Sequence, residues 1–211
     1  LVARSGSFSF PRPDETSMRR ALLLSACLLS AACASVPRGT GRLAPEQEAF
    51  WSGLQRLCGQ AFEGRLAQGN ASDTAAFAGK ALVMHVRECG ADTVRVPFHV
   101  GGDRSRTWVL TRTAAGLRLK HDHRHEDGSE DRVTQYGGDA RGPGTSARQE
   151  FPADSFTAAL LPAAATNVWT VEVVPGDRFA YALRREGTDR RFRVEFDLRR
   201  PVAPPPAPWG R

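Results

Sequence analysis

Short runs of alternating side chains, set apart by tight-turn signals, fill most of the chain beyond residue 60 and favour an antiparallel sheet. The clearest is "RFRVEFDLRR" (191–200). Phe192, Val194, Phe196 and Leu198 share one face there, and Arg193, Glu195, Asp197 and Arg199 the other. A period of two marks a half-buried strand. "NVWTVEVV" (167–174) and "RFAYALRR" (178–185) precede it, joined through the turns "PGD" and "EGTD". In "KALVMHVREC" (80–89), Leu82, Met84 and Val86 oppose Val83, His85 and Arg87. In "TVRVPFHV" (93–100), Val94, Val96, Phe98 and Val100 oppose Arg95 and His99. "RTWVLTRT" (106–113) and "GLRLKHDHRH" (116–125) flank a turn at Ala114 and Ala115. "QAFEGRLAQ" (60–68), "EDRVTQYG" (130–137) and "RQEFP" (148–152) complete the set. About ten short strands linked by hairpins predict an all-β, antiparallel, up-and-down barrel, because closure leaves no edge strand to aggregate.

Two segments read as helix. "APEQEAFWSGLQRLCG" (44–59) carries Pro45 near its start, Glu46 and Glu48 in its first turn, and Phe50, Leu54, Leu57 and Cys58 along one face; Gly59 ends it. "SFTAALL" (155–161) follows Asp154, a natural N-cap. Residues 137–147 read as a Gly/Pro-rich loop, and "PVAPPPAPWGR" (201–211) as an extended tail.

The N-terminal part reads as an export signal. Arg19 and Arg20 follow Met18, and residues 21–32 are a run of Ala, Leu and Ser with one Cys, too short for a permanent span of about 20 apolar residues. Residues 1–17 lie upstream of that signal. Small residues before a cysteine resemble a bacterial lipoprotein leader. "SAAC" makes Cys33 the expected lipidation site, with Cys27 of "LSAC" as the alternative. Lipidation there places residues 33–43 as a tether and 44–200 as one domain on the periplasmic side of the outer membrane. Ordinary cleavage would instead release a soluble periplasmic or secreted protein. In an oxidising compartment Cys58 and Cys89, the only other cysteines, most simply form one disulfide.

The net charge of +6 does not point to nucleic acid. Only Lys80 and Lys120 are lysines, the remaining basic residues are arginines scattered through the strands, and no basic run is interleaved with aromatics. The predicted architecture resembles the calycins, the lipocalin and fatty-acid-binding-protein barrels. The likeness is one of fold, since no G-x-W signature stands at the first strand, and it implies an apolar ligand. Through "CGQAFEG", "HDHRHEDGSED", "NVWTVEV" and "FRVEFDL" the chain also resembles a group of bacterial secreted and lipoprotein sequences, a likeness that implies export and no particular activity.

"LKHDHRHEDGSEDRV" (119–133) holds three of the five histidines. "EDGS" (126–129) has the composition of a type I′ hairpin turn. Pairing outward from it sets His125 against Glu130, His123 against Arg132, His121 against Thr134 and Leu119 against Tyr136. Leu117, Leu119, His121, His123 and His125 then share a face. Arg118, Lys120, Asp122, Arg124 and Glu126 share the other, which is wholly charged and belongs to solvent, so the histidines face inward. Residues two apart on a strand are about 6.6 Å apart along the chain, so His121 with His123, or His123 with His125, can meet on one divalent metal such as zinc, whereas all three cannot. Glu130, His85 and His99 are the candidate further ligands. A solvated hairpin with cross-strand ion pairs is the plain alternative.

Other motifs carry less. "DRSRTW" (103–108) offers Arg104 and Arg106 to an anion but reads as a turn into a strand, and "GGDARGPG" (137–144) lacks what a phosphate loop needs. Trp108, Trp169, Phe179 and Tyr181 read as core aromatics. The expectation is an envelope lipoprotein, anchored to the membrane by its lipid, that binds a small apolar or amphipathic ligand without catalysis, with a divalent metal possible at the hairpin. The competing expectations are a metal-dependent enzyme using a His pair and Glu130, and a structural envelope protein with a filled barrel.

Overall fold

The computed structural model describes residues 42–211; the leader, Cys27, Cys33 and most of the tether lie outside them. The described residues form eleven strands: β1 Ala61–Gln68, β2 Leu82–His85, β3 Glu88–Cys89, β4 Thr93–Val100, β5 Asp103–Thr113, β6 Gly116–His123, β7 Tyr136–Asp139, β8 Arg148–Pro152, β9 Asn167–Val174, β10 Arg178–Arg185 and β11 Arg191–Val202. Helices α1 Pro45–Gln55, α2 Ala71–Phe77 and α3 Ser155–Leu160 complete it, with a 3₁₀ turn at Pro162–Ala164.

The expected antiparallel barrel is present, nearly closed and ten-stranded. Its order is β7-β6-β5-β4-β2-β1-β11-β10-β9-β8, with β3 paired to β4. Chain neighbours are therefore spatial neighbours, and the first and last strands are joined by a ladder from Ala61↔Val202 to Gln68↔Arg193. The seam lies mid-chain between β7 and β8. There Asp154 N–H donates to the Gly137 carbonyl at 2.9 Å, Arg141 N–H to Glu150 at 2.7 Å, and the Thr157 hydroxyl of α3 to Gly137 at 2.8 Å. The inward faces of β4, β6 and β11 bury the residues their alternation selects, including Val96, Leu117, Leu119, Val194 and Phe196.

One end of the barrel is stopped by α1, whose Phe50, Trp51 and Leu54 are buried against the core. Arg112 at the end of β5 pins this helix with a bidentate ion pair to Glu48, at 2.7 and 3.0 Å, and lies 5.7 Å over the Trp51 ring. Cys58, just beyond α1, is exposed rather than on the buried face. It is joined by a disulfide to Cys89 of β3, closing a loop of 31 residues. Replacing both cysteines by alanine is expected to lower the unfolding free energy by about 3 kcal/mol through the freed loop entropy, read from urea melts of oxidised and variant protein.

Four segments depart from the sequence reading. The 80–89 run is interrupted at Val86 and Arg87, where the Val86 amide and carbonyl turn to the Gln60 carbonyl and Gly59 amide beside α1. Residues 71–77 form a helix, capped by reciprocal Asn70–Asp73 hydrogen bonds at 2.9 Å. The 130–137 strand begins only at Tyr136 and runs on through Gly138 into what reads as loop.

The fourth departure is the tail, which turns back over the outside of the sheet. Trp209 N–H donates to the Arg104 carbonyl, the Arg104 guanidinium to the Ala207 carbonyl, and Arg211 reaches Asp122 at 3.4 Å. Asp122, expected in solvent, is buried beneath Arg124 at 2.8 Å and Arg95 and Arg211 at 3.4 Å. A buried carboxylate is tolerated when cations surround it.

Candidate functional site

The end of the barrel opposite α1 holds a cavity of about 310 Å³. Seven strands line it: Phe98 from β4, Trp108 from β5, His121 and His123 from β6, Tyr136 from β7, Trp169 from β9, Tyr181 from β10 and Phe192 from β11. Around the rim stand Asp73 and Phe77 of α2, Val133 of the β6–β7 loop, and Leu161 and Ala164 beyond α3. Rings stack along the wall. Trp108 lies 4.4 Å from Tyr181 and His121 4.2 Å from Tyr136, each pair within 19° of parallel.

The hairpin carrying the histidines departs from the expected register by one residue at the turn, where Arg124 was expected opposite Asp131, and by two at the start of β7. Arg124 stands opposite Glu130, and His121 rather than Leu119 stands opposite Tyr136. Residues 131–135 take up the difference as a loop. Asp131 accepts a hydrogen bond from the Val133 amide, Gln135 adopts φ 59°, and its amide donates to the His121 carbonyl. His121 and His123 consequently face the cavity as expected. His125 does not: it sits exposed in the turn, where its amide donates to Ser129. Glu130 is exposed and paired to Arg124 at 2.9 Å. His85 and His99 belong to the opposite faces of β2 and β4, so the barrel wall separates them from the cavity, and both are buried. Burial, reinforced by Arg104 and His85, lowers the His99 pKa to about 4.

Hydrogen bonding fixes the state of His121. Its Nδ1 lies 3.0 Å from the Tyr136 backbone carbonyl, which can only accept, so Nδ1 carries the proton. Nε2 is then a bare acceptor and receives a hydrogen bond from the Tyr181 hydroxyl at 2.7 Å. Burial pushes the His121 pKa down to about 3, with smaller contributions from His123 and Lys120 against the favourable Tyr136 carbonyl. His123 is lowered as well, chiefly by burial and then by Arg106, and its Nε2 lies 3.1 Å from the Tyr136 hydroxyl. Burial raises both phenols, Tyr136 to about 12, and Tyr181 well above its ordinary value. At neutral pH the histidines and tyrosines of this interior are therefore uncharged donors and acceptors, with the guanidinium of Arg106 beside them. Both nitrogens of His121 are already engaged. Among the described residues no three His, Cys, Asp or Glu side chains group as a metal-binding set.

Arg106 and Arg190 also border the cavity, and sequence reasoning gave no part in it to Arg190 and read Tyr181 as core alone. Trp108, Trp169 and Tyr181 are buried as core aromatics and also line the cavity, whereas Phe179 is core alone. Arg106 was legible only as half of an Arg pair in "DRSRTW". The Asn70-x-x-Asp73 box could have revealed α2, and with it the rim residues Asp73 and Phe77. No helix among the described residues is long and apolar enough to cross a membrane. Comparison of the chain with protein-family models, curated proteins and solved structures returns no match.

Proposed function

We propose that this domain is a binding module of the bacterial envelope, lipid-tethered at Cys33, that holds one small apolar or amphipathic molecule in the open end of its barrel. The cavity carries the reading. It is walled by aromatic rings, floored by packed core, and supplied with a few fixed polar atoms, the usual composition of a small-ligand site. The disulfide fits an exported protein. A metal at the hairpin is a weaker proposal, because binding at His121 would displace its hydrogen bonds to Tyr136 and Tyr181.

Trp108 and Trp169 report on occupancy directly. Titration with 2-naphthalenemethanol, a neutral two-ring probe, is expected to quench their fluorescence at one site with a Kd on the order of tens of micromolar, as suits a ligand of this size. Ala164→Phe, which places a ring at the cavity rim, is expected to weaken binding about tenfold or more without lowering the melting temperature by more than a few degrees. A wild-type protein that binds no such probe, or a variant that binds as well as wild type, would end the proposal.

A further inference from the structure

We infer that the ligand of this cavity is a flat, two-ring aromatic monoanion, seated with its rings among the wall aromatics and its charge on Arg106; the inference rests on the binding reading above. Size comes first. An apolar cavity of about 150 Å³ accommodates a single benzene, so about 310 Å³ suits roughly two fused rings. Shape follows from the lining. The Trp108–Tyr181 and His121–Tyr136 stacks, with Trp169 tilted 5.3 Å from His121, offer planar faces, and planar π systems pack best on such faces.

The charge comes from Arg106, which borders an irregularity in the β4–β5 ladder. Val100 pairs with Asp103, yet Phe98 pairs with Arg106, so β5 carries an extra residue between them. Arg106 reaches the cavity by the same alternation as Trp108, and the bulge just before it turns Arg104 outward to the tail. Arg106 donates one N–H to Asp103 at 2.7 Å. Among the described residues its other donors meet no hydrogen-bond partner. Its positive charge is felt by His123, Tyr136 and Tyr181 around the cavity. Arg190, the other arginine of the rim, is engaged by both Asp73 oxygens and by the Arg191 carbonyl. A cation with spare planar donors beside uncharged aromatics selects a carboxylate, which it can grip with two parallel hydrogen bonds.

The test compares 2-naphthoate with 2-naphthalenemethanol, its neutral counterpart, and with decanoate, a flexible monoanion. Wild-type protein should bind 2-naphthoate about tenfold more tightly than either. Arg106→Gln should erase the advantage over the alcohol while leaving alcohol binding within about twofold, and Asp103→Asn, which frees the guanidinium, should enlarge it. Equal affinity for acid and alcohol in the wild type, or an undiminished preference in Arg106→Gln, overturns the anionic assignment and leaves the binding reading intact. Decanoate binding as tightly as 2-naphthoate overturns the planar one. Failure of all three probes to bind removes the inference together with the reading beneath it.

Discussion

Acidification from neutrality to about pH 4 is expected to strip about 3 kcal/mol from the unfolding free energy through His121 alone. The folded pKa of about 3 lies below the ordinary value of 6.5 because the ring is enclosed. The unfolded chain consequently takes up a proton near pH 6.5 that the folded one refuses. Stability from this group is complete above 6.5 and declines as pH falls toward 3, at about 1.4 kcal/mol per pH unit. Lowered carboxylates such as Glu172, held down by Arg193, lose stability in the same direction but at lower pH. His99 adds to the loss with its folded pKa near 4. A His121→Gln variant separates the effects. Glutamine retains a donor and an acceptor but does not titrate, so its urea stability should fall less steeply than wild type between pH 6.5 and about 4. Parallel curves for the two proteins would show that His121 is hydrated and protonates freely when folded.

Gly138→Ala is expected to cost about 3–5 kcal/mol, among the largest effects of any single methyl group in this domain. A side-chain carbon at this position would fall inside the Pro152 carbonyl and press on the Asp154 amide, both backbone atoms across the β7–β8 seam. Neither can rotate away. The strands must part, and the hydrogen bonds from Asp154 to Gly137 and from Thr157 to Gly137 open with them. The expected result is a large drop in urea midpoint together with faster amide exchange in β7 and β8. Gly142→Ala is the control. It lies in the adjoining turn with open space around it, so it carries only the strain of its positive φ, about 1 kcal/mol. Equal losses in the two variants would mean that the seam is already loose.

The mid-chain placement of that seam explains why parts of the hairpin were misread. Composition marks residues 137–147 as a loop, because Gly and Pro ordinarily punctuate strands. Gly137 and Gly138 instead lie in β7, where only the absence of a side chain lets backbones from β6 and β8 approach on either side. Close approach is a relation between distant segments, and it leaves no local periodicity to detect. The shifted register of the histidine hairpin has the same origin. A turn does lie at Asp127-Gly128, but only Gly128 has the positive φ that a type I′ turn needs at both positions. The loop at 131–135 is held by Asp131 and by Gln135 in a left-handed conformation, which alternation counts cannot register.

Alternation determined a good deal of this protein: the strand faces, the all-β class, the up-and-down order and the inward direction of His121 and His123; the cysteine count gave the pairing of Cys58 with Cys89. These follow from local periods and from counting, which a chain carries in its own order. Tertiary structure alone decided that His125 and Glu130 stay in solvent, that the tail buries Asp122, and that Arg106 joins Tyr136 and Tyr181 around one cavity. Each of those outcomes depends on a bulge, a register offset or a long-range approach, where a displacement of one or two residues changes which face a side chain occupies and which partners it can meet.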